Sequence, residues 1–107
     1  MDRSQFVSLA DKCLERVAGW LEDFDADEVD FETTDGVVTI EFADRTRYVL
    51  NRQAAASQMW FAAGARAWHY DWNGSAWLCD RDQHALLARI QEVLADKLSR
   101  ELSGLAE

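Results

Sequence analysis

The sequence predicts an α+β fold: a two-layer sandwich in which two helices pack on one face of an antiparallel β-sheet. Three observations predict it. Apolar residues recur at spacings of three and four near both ends of the chain, they alternate with polar residues in the middle, and turn signals cut that middle into short runs. Helices that flank a block of strands, rather than alternating with them, define the α+β class.

The first periodic stretch carries Phe6, Leu9, Cys13, Leu14, Val17, Leu21 and Phe24, an amphipathic helix with Ser4 as its expected N-cap. Val29 to Thr33 reads as a strand, Asp35-Gly36 as a hairpin turn, and Val37 to Phe42 as the partner strand with Val38, Ile40 and Phe42 on one face. Asp44-Arg45 makes a second turn into Thr46 to Leu50. Ala54-Ala55-Ala56-Ser57 is a loop or short turn, and Gln58 to Ala62 and Trp68 to Trp72 are further strands. Asn73-Gly74 is a tight turn into Ala76 to Cys79. From Asp82 the helical period returns, with Leu86, Leu87, Ile90, Val93, Leu94 and Leu98 on one stripe.

The 107 residues suit one domain spanning 1–107, and 49% hydrophobic residues supply a core without covalent staples. The opening Met1-Asp2-Arg3-Ser4-Gln5 is no basic, apolar leader, and no stretch approaches the ~20 apolar residues of a membrane span. Two distant cysteines, Cys13 and Cys79, form no C-x-x-C pair, so a cytoplasmic protein with free thiols is expected. A net charge of −9 argues against nucleic acid and against anionic membranes. The expected partners are cations or basic protein surfaces.

The acidity is concentrated. Residues 1–44 hold 13 of the 20 acids against only Arg3, Lys12 and Arg16, whereas residues 45–107 hold seven acids and eight bases. On the first helix Asp11, Glu15 and Glu22 fall on one face at i, i+4 and i+11, offset from the apolar stripe. Asp23, Asp25 and Asp27 alternate after it, and in an extended segment they would point to one side; Glu28 and Asp30 continue the run. These eight are the candidate metal ligands. Carboxylates crowded within a few ångströms repel by about 1 kcal/mol in water and about 4 at an effective dielectric near 20, and a cation relieves that repulsion. Hard ions prefer such oxygens, so several weak, exchangeable sites are expected rather than one preformed cage. Both histidines lie outside the run, which disfavours a tight nitrogen- or sulfur-based site. An EF-hand fails because Glu28 stands where its loop needs glycine and Thr34 where it needs the closing glutamate.

Enzymatic readings are weaker. His69 and Asp71 share a strand face but no nucleophile accompanies them. Cys79 adjoins the charge of Asp80, Cys13 occupies a core position, and His84 reads as a surface residue. Weak ferroxidase-like oxidation of iron at carboxylates is the one compatible activity, and no Glu-x-x-His di-iron pattern supports it. A metal-independent acidic interaction module, a chaperone or an inhibitor, is the alternative from another class.

Several fragments, weak singly, are specific in their order and spacing. Asp23-Phe24-Asp25-Ala26-Asp27 follows an acidic first helix, and Asn51-Arg52-Gln53 ends a strand. Gln58-Met59-Trp60-Phe61-Ala62 comes a few residues on, then Tyr70-Asp71-Trp72-Asn73-Gly74-Ser75-Ala76-Trp77 and Leu78-Cys79-Asp80-Arg81. Together they resemble the frataxin family, in particular its bacterial branch, over essentially the whole chain. The resemblance implies the frataxin-like sandwich and a non-catalytic role in iron–sulfur cluster assembly. It implies weak, exchangeable binding of iron, Fe(II) or Fe(III), with other divalent cations as substitutes. It further implies a regulator or iron-delivery adaptor that docks through its acidic ridge on the cysteine desulfurase and the Fe–S scaffold machinery. Trp60 would be a solvent-facing partner contact, with Asn51, Arg52 and Gln53 beside it. A monomer is expected, with iron-driven oligomerisation left open.

Overall fold

The computed structural model describes residues 1–106. Helix α1 spans Arg3–Leu21, strands β1 to β6 span Val29–Thr34, Val37–Phe42, Arg47–Gln53, Gln58–Ala63, Arg66–Trp72 and Trp77–Cys79, and helix α2 spans Leu86–Leu98. The six strands form one antiparallel meander in sequence order, and both helices lie over one of its faces. The structure is the α+β sandwich expected from the sequence.

Helix α1 is capped two residues earlier than expected. Asp2, not Ser4, is the N-cap: its Oδ1 accepts the Gln5 backbone N–H at 2.7 Å while Gln5 Oε1 accepts the Asp2 N–H at 3.1 Å. This reciprocal pair satisfies two otherwise orphaned donors, which a lone serine would not. Phe6, Ala10, Cys13, Leu14, Val17, Trp20 and Leu21 turn inward. Burial in this apolar stripe pushes the Cys13 thiol up to about 12.

The strands obey the period-two rule. Val38, Ile40, Leu50, Met59, Phe61, Tyr70 and Cys79 point to the helices and are buried, and from α2 Leu86, Ile90, Val93 and Leu94 meet them. Each such aliphatic or aromatic side chain contributes about 1.5–3 kcal/mol on leaving water. Strand β3 runs further than the expected Thr46 to Leu50. Asn51, Arg52 and Gln53 continue it by pairing with Trp60, Met59 and Gln58, so ladder hydrogen bonds extend the strand where side-chain alternation stops. The four residues from Ala54 close the hairpin as a 3₁₀ turn, ending on Ser57 at φ +53°.

After α2 the chain doubles back as a strap. Leu105 is 1% exposed and joins the core. Arg16 Nη2 donates to the carbonyls of Gly104 and Leu105 at 2.6 and 2.9 Å, Trp20 Nε1 donates to Ser103 O at 2.8 Å, and Gln91 Oε1 accepts the Leu105 N–H at 3.0 Å. Among the described residues no helix is long and apolar enough to cross a membrane.

Candidate functional site

The outer face of α1 carries Asp11, Glu15 and Glu22 along one groove between that helix and the β1–β2 hairpin. Asp11 is not free there. Arg52 Nη1 donates to its Oδ1 at 2.6 Å and Arg52 Nη2 donates to Asp35 Oδ1 at 2.9 Å. The Asp35 carboxylate foremost, together with that of Asp11, raises the Arg52 guanidinium further above its ordinary value. Gly36 makes room for this clasp: a Cβ at that position would stand 2.9 Å from Arg52 Cζ, and its φ of +78° already favours glycine.

The segment joining α1 to β1 is a turn rather than an extended run. Asp25 Oδ1 accepts the Asp27 N–H and Asp25 O accepts the N–H groups of Glu28 and Val29, all at 2.9 Å. An aspartate that captures the backbone two residues on coils the chain, so Asp23, Asp25 and Asp27 fan around a bend. Glu15, Asp23, Asp25 and Glu28 share a second groove with Trp20 and Phe24, whose rings meet edge-on at 5.0 Å. Arg100 Nη2 occupies one side of it and donates to Glu28 Oε1 at 2.5 Å. Asp30 departs from the group, bordering a patch with Glu32, Glu41 and Arg47.

Of the eight acids, Asp11 and Glu28 therefore have arginine partners. Among the described residues, no lysine or arginine pairs with Glu15, Glu22, Asp23, Asp25, Asp27 or Asp30. Nor do any three of these carboxylates bring ligand oxygens together as one cluster. The arrangement is a strip of separated, water-facing anions, which attracts cations and basic surfaces by summed potential.

The face of the sheet away from the helices carries a second feature. Trp60 sits opposite Asn51 on β3 and His69 on β5 and stacks on the His69 ring, centroids 4.3 Å apart and planes 17° from parallel. Its Nε1 donates to Gln58 Oε1 at 3.0 Å, and Gln58 Nε2 donates to Asp71 Oδ1 at 3.1 Å. Trp60 is half-buried and preorganised. Asn51 and Gln53 share its face by strand alternation, whereas Arg52 turns to the helix side. The ring of His69 is engaged by Trp60, and its Nδ1 lies 4.0 Å from Asp80 rather than beside Asp71.

One grouping escaped the sequence reading. His84, expected on the surface, is half-buried, with Nε2 2.7 Å from the Tyr70 hydroxyl and Nδ1 2.5 Å from Asp82 Oδ1. The Cys79-x-x-Asp82-x-His84 spacing was the available signal.

With this geometry in place, comparison with known proteins is decisive. The family model described as a frataxin-like domain matches residues 1–101. The chain belongs to the frataxin family. Among curated frataxin relatives it is similar to the iron-sulfur cluster assembly protein CyaY of Dechloromonas aromatica (strain RCB), 39% identical over 98 residues that cover 91% of this chain and 92% of that one. Its frataxin fold is similar to that of frataxin from Psychromonas ingrahamii, with a TM-score of 0.87 at 26% identity, covering 96% of this chain and 97% of that one. It is also similar to trimeric frataxin from the yeast Saccharomyces cerevisiae complexed with ferrous iron, with a TM-score of 0.75 at 26% identity, covering 85% and 86% of the two chains.

Proposed function

We propose that this frataxin-family chain is a cytoplasmic iron-binding protein of iron–sulfur cluster assembly that works by binding rather than by catalysis. In this reading Glu15, Glu22, Asp23, Asp25 and Asp27 hold iron weakly and exchangeably, with Asp11, Glu28 and Asp30 at the margins of the strip. The same strip steers the protein onto a basic groove of the cysteine desulfurase, where Trp60, Asn51 and Gln53 add contact area and Arg52 sets the shape of the neighbouring hairpin. The chain acts there as a regulator or iron-delivery adaptor, monomeric without iron.

The observation that carries the reading is the run of carboxylates without basic partners along α1 and the following turn. Each is exposed, so binding a cation there costs little desolvation of the protein. The names of two relatives support it: one is an assembly protein, and the other was crystallised with ferrous iron.

The test is an anaerobic Fe(II) titration paired with a pull-down on purified cysteine desulfurase, using the parent chain and a triple Asp23→Asn, Asp25→Asn, Asp27→Asn variant. Asparagine at 25 keeps the side-chain oxygen that caps the turn. Weaker iron uptake and weaker desulfurase capture by the variant are expected. Unchanged values in both assays overturn the proposal.

A further inference from the structure

At the opposite edge of the sheet from β1, the loop between β6 and α2 folds back on its own start. Cys79 N–H donates to His84 O at 2.9 Å, Gln83 N–H donates to Cys79 O at 3.0 Å, and Leu78 bridges to Ala85. Gln83 accepts a left-handed φ of +63° to make the turn. The closure gathers three different donor side chains: the Cys79 sulfur, an Asp82 carboxylate oxygen and a His84 ring nitrogen all lie within 4.8 Å of one another. Among the described residues this is the one such gathering of cysteine, histidine and acidic side chains.

The histidine is oriented before any ligand arrives. Its Nε2 faces the Tyr70 hydroxyl at 2.7 Å, and the rings of Trp68 and Tyr70 meet it edge-on at 6.1 and 5.3 Å. That leaves Nδ1 directed at Asp82. A metal-bound histidine typically donates its other N–H to a fixed acceptor, which sets the tautomer and the ring angle; Tyr70 stands in that position.

We propose that Cys79, Asp82 and His84 form a chelating site for a borderline divalent ion such as zinc(II), with water as the fourth ligand. One sulfur, one imidazole nitrogen and one carboxylate oxygen are the donor types zinc takes, and three protein ligands with one open position is a recurrent zinc arrangement. Tetrahedral zinc with ordinary bond lengths separates its ligand atoms by roughly 3.4–3.6 Å, so the loop needs only small adjustments. The chief one is a widening of the 2.5 Å contact between Asp82 Oδ1 and His84 Nδ1 as the proton they share is exchanged for the cation. That proton moves to Nε2, where the Tyr70 oxygen accepts it, the Cys79 thiol proton passes to solvent, and no electron is transferred. Thiolate and carboxylate then balance the charge of the ion. Asp82, 65% exposed, is the entry side, whereas Cys79 at 2% exposure is shielded from other thiols. The site differs in donor chemistry from the all-oxygen acidic strip.

Cobalt(II) added to the full chain is the direct probe, because a thiolate ligand gives a charge-transfer band in the near ultraviolet and tetrahedral geometry gives intense visible bands. One equivalent is expected to saturate both, and zinc(II) to erase them. Asp82→Asn and His84→Gln are expected to weaken cobalt binding about tenfold or more, Cys79→Ser to remove the charge-transfer band, and the Asp23, Asp25, Asp27 triple asparagine variant to leave it unchanged. Cobalt uptake without a charge-transfer band overturns the proposal. So does an affinity that Asp82→Asn and His84→Gln leave intact. Should Cys79→Ser fail to fold, the exposed Asp82→Asn variant, checked by its thermal melt, decides alone.

Discussion

Arg52 on β3 and Asp11 on α1 meet at 2.6 Å, and the same guanidinium holds Asp35 in the β1–β2 turn at 2.9 Å. One side chain thereby ties the sheet to the helix that carries the acidic strip. Its own side chain is 19% exposed while that of Asp35 is 94% exposed, so most of the value lies in the Asp11 bond. Arg52→Ala is expected to destabilise the protein by about 1–2 kcal/mol, measured by urea unfolding. Gly36→Ala should cost a similar amount, since it crowds the guanidinium and strains the turn.

The pair between Asp44 and Lys97 sets a pH dependence. The Lys97 ammonium foremost, then the Thr46 hydroxyl and backbone N–H, hold the Asp44 carboxyl well below the usual carboxylate range. A group whose folded value is depressed stabilises the protein above its unfolded value of about 3.9, and that stability disappears as pH falls through the folded value. Asp44→Asn is therefore expected to lower the melting temperature at pH 7. The gap from the parent should narrow below about pH 4 and close in stronger acid.

The unbalanced negative charge of the strip predicts a salt response. Because the carboxylates from Glu15 to Asp27 lack basic partners, millimolar Mg²⁺ or Ca²⁺, and NaCl to a lesser degree, should raise the melting temperature. The triple asparagine variant at 23, 25 and 27 should melt higher than the parent in low salt and respond less to added cations. Differential scanning fluorimetry across a salt series checks both.

Trp60 separates surface from core. Its stack on His69 is worth about 0.5–1.5 kcal/mol, so Trp60→Ala should stay within that loss while weakening desulfurase capture. Leu94→Ala removes a side chain with 0% exposure from beneath the sheet and is expected to cost about 2–5 kcal/mol. Chemical denaturation of the two variants side by side distinguishes the roles.

Much of this architecture is legible in the chain because alternation and helical period are strong wherever one face is buried. Val38, Ile40 and Phe42 announce their strand, and the stripe from Leu86 to Leu98 announces its helix. The extension of β3 through Asn51, Arg52 and Gln53 is silent in the pattern, since three polar residues in a row carry no alternation and only backbone pairing with Gln58 to Trp60 holds them. Asp25 could be read as a member of an extended row or as the cap of a turn, and its local hydrogen bonds select the turn. The approach of Arg52 to Asp11 spans 41 positions, and that of Arg100 to Glu28 spans 72. No local pattern encodes either, so which acids remain without a partner emerged only in three dimensions.

The strap that returns across α1 carries its own consequence for biosynthesis. Arg16 and Trp20 find their acceptors more than eighty positions downstream, and Leu105 completes the apolar interior. Until residues 103–105 have left the ribosome, the nascent helix therefore exposes an indole and a guanidinium awaiting acceptors that have not emerged. The interior therefore closes only after the meander, whose hairpins can begin pairing as they leave the exit tunnel.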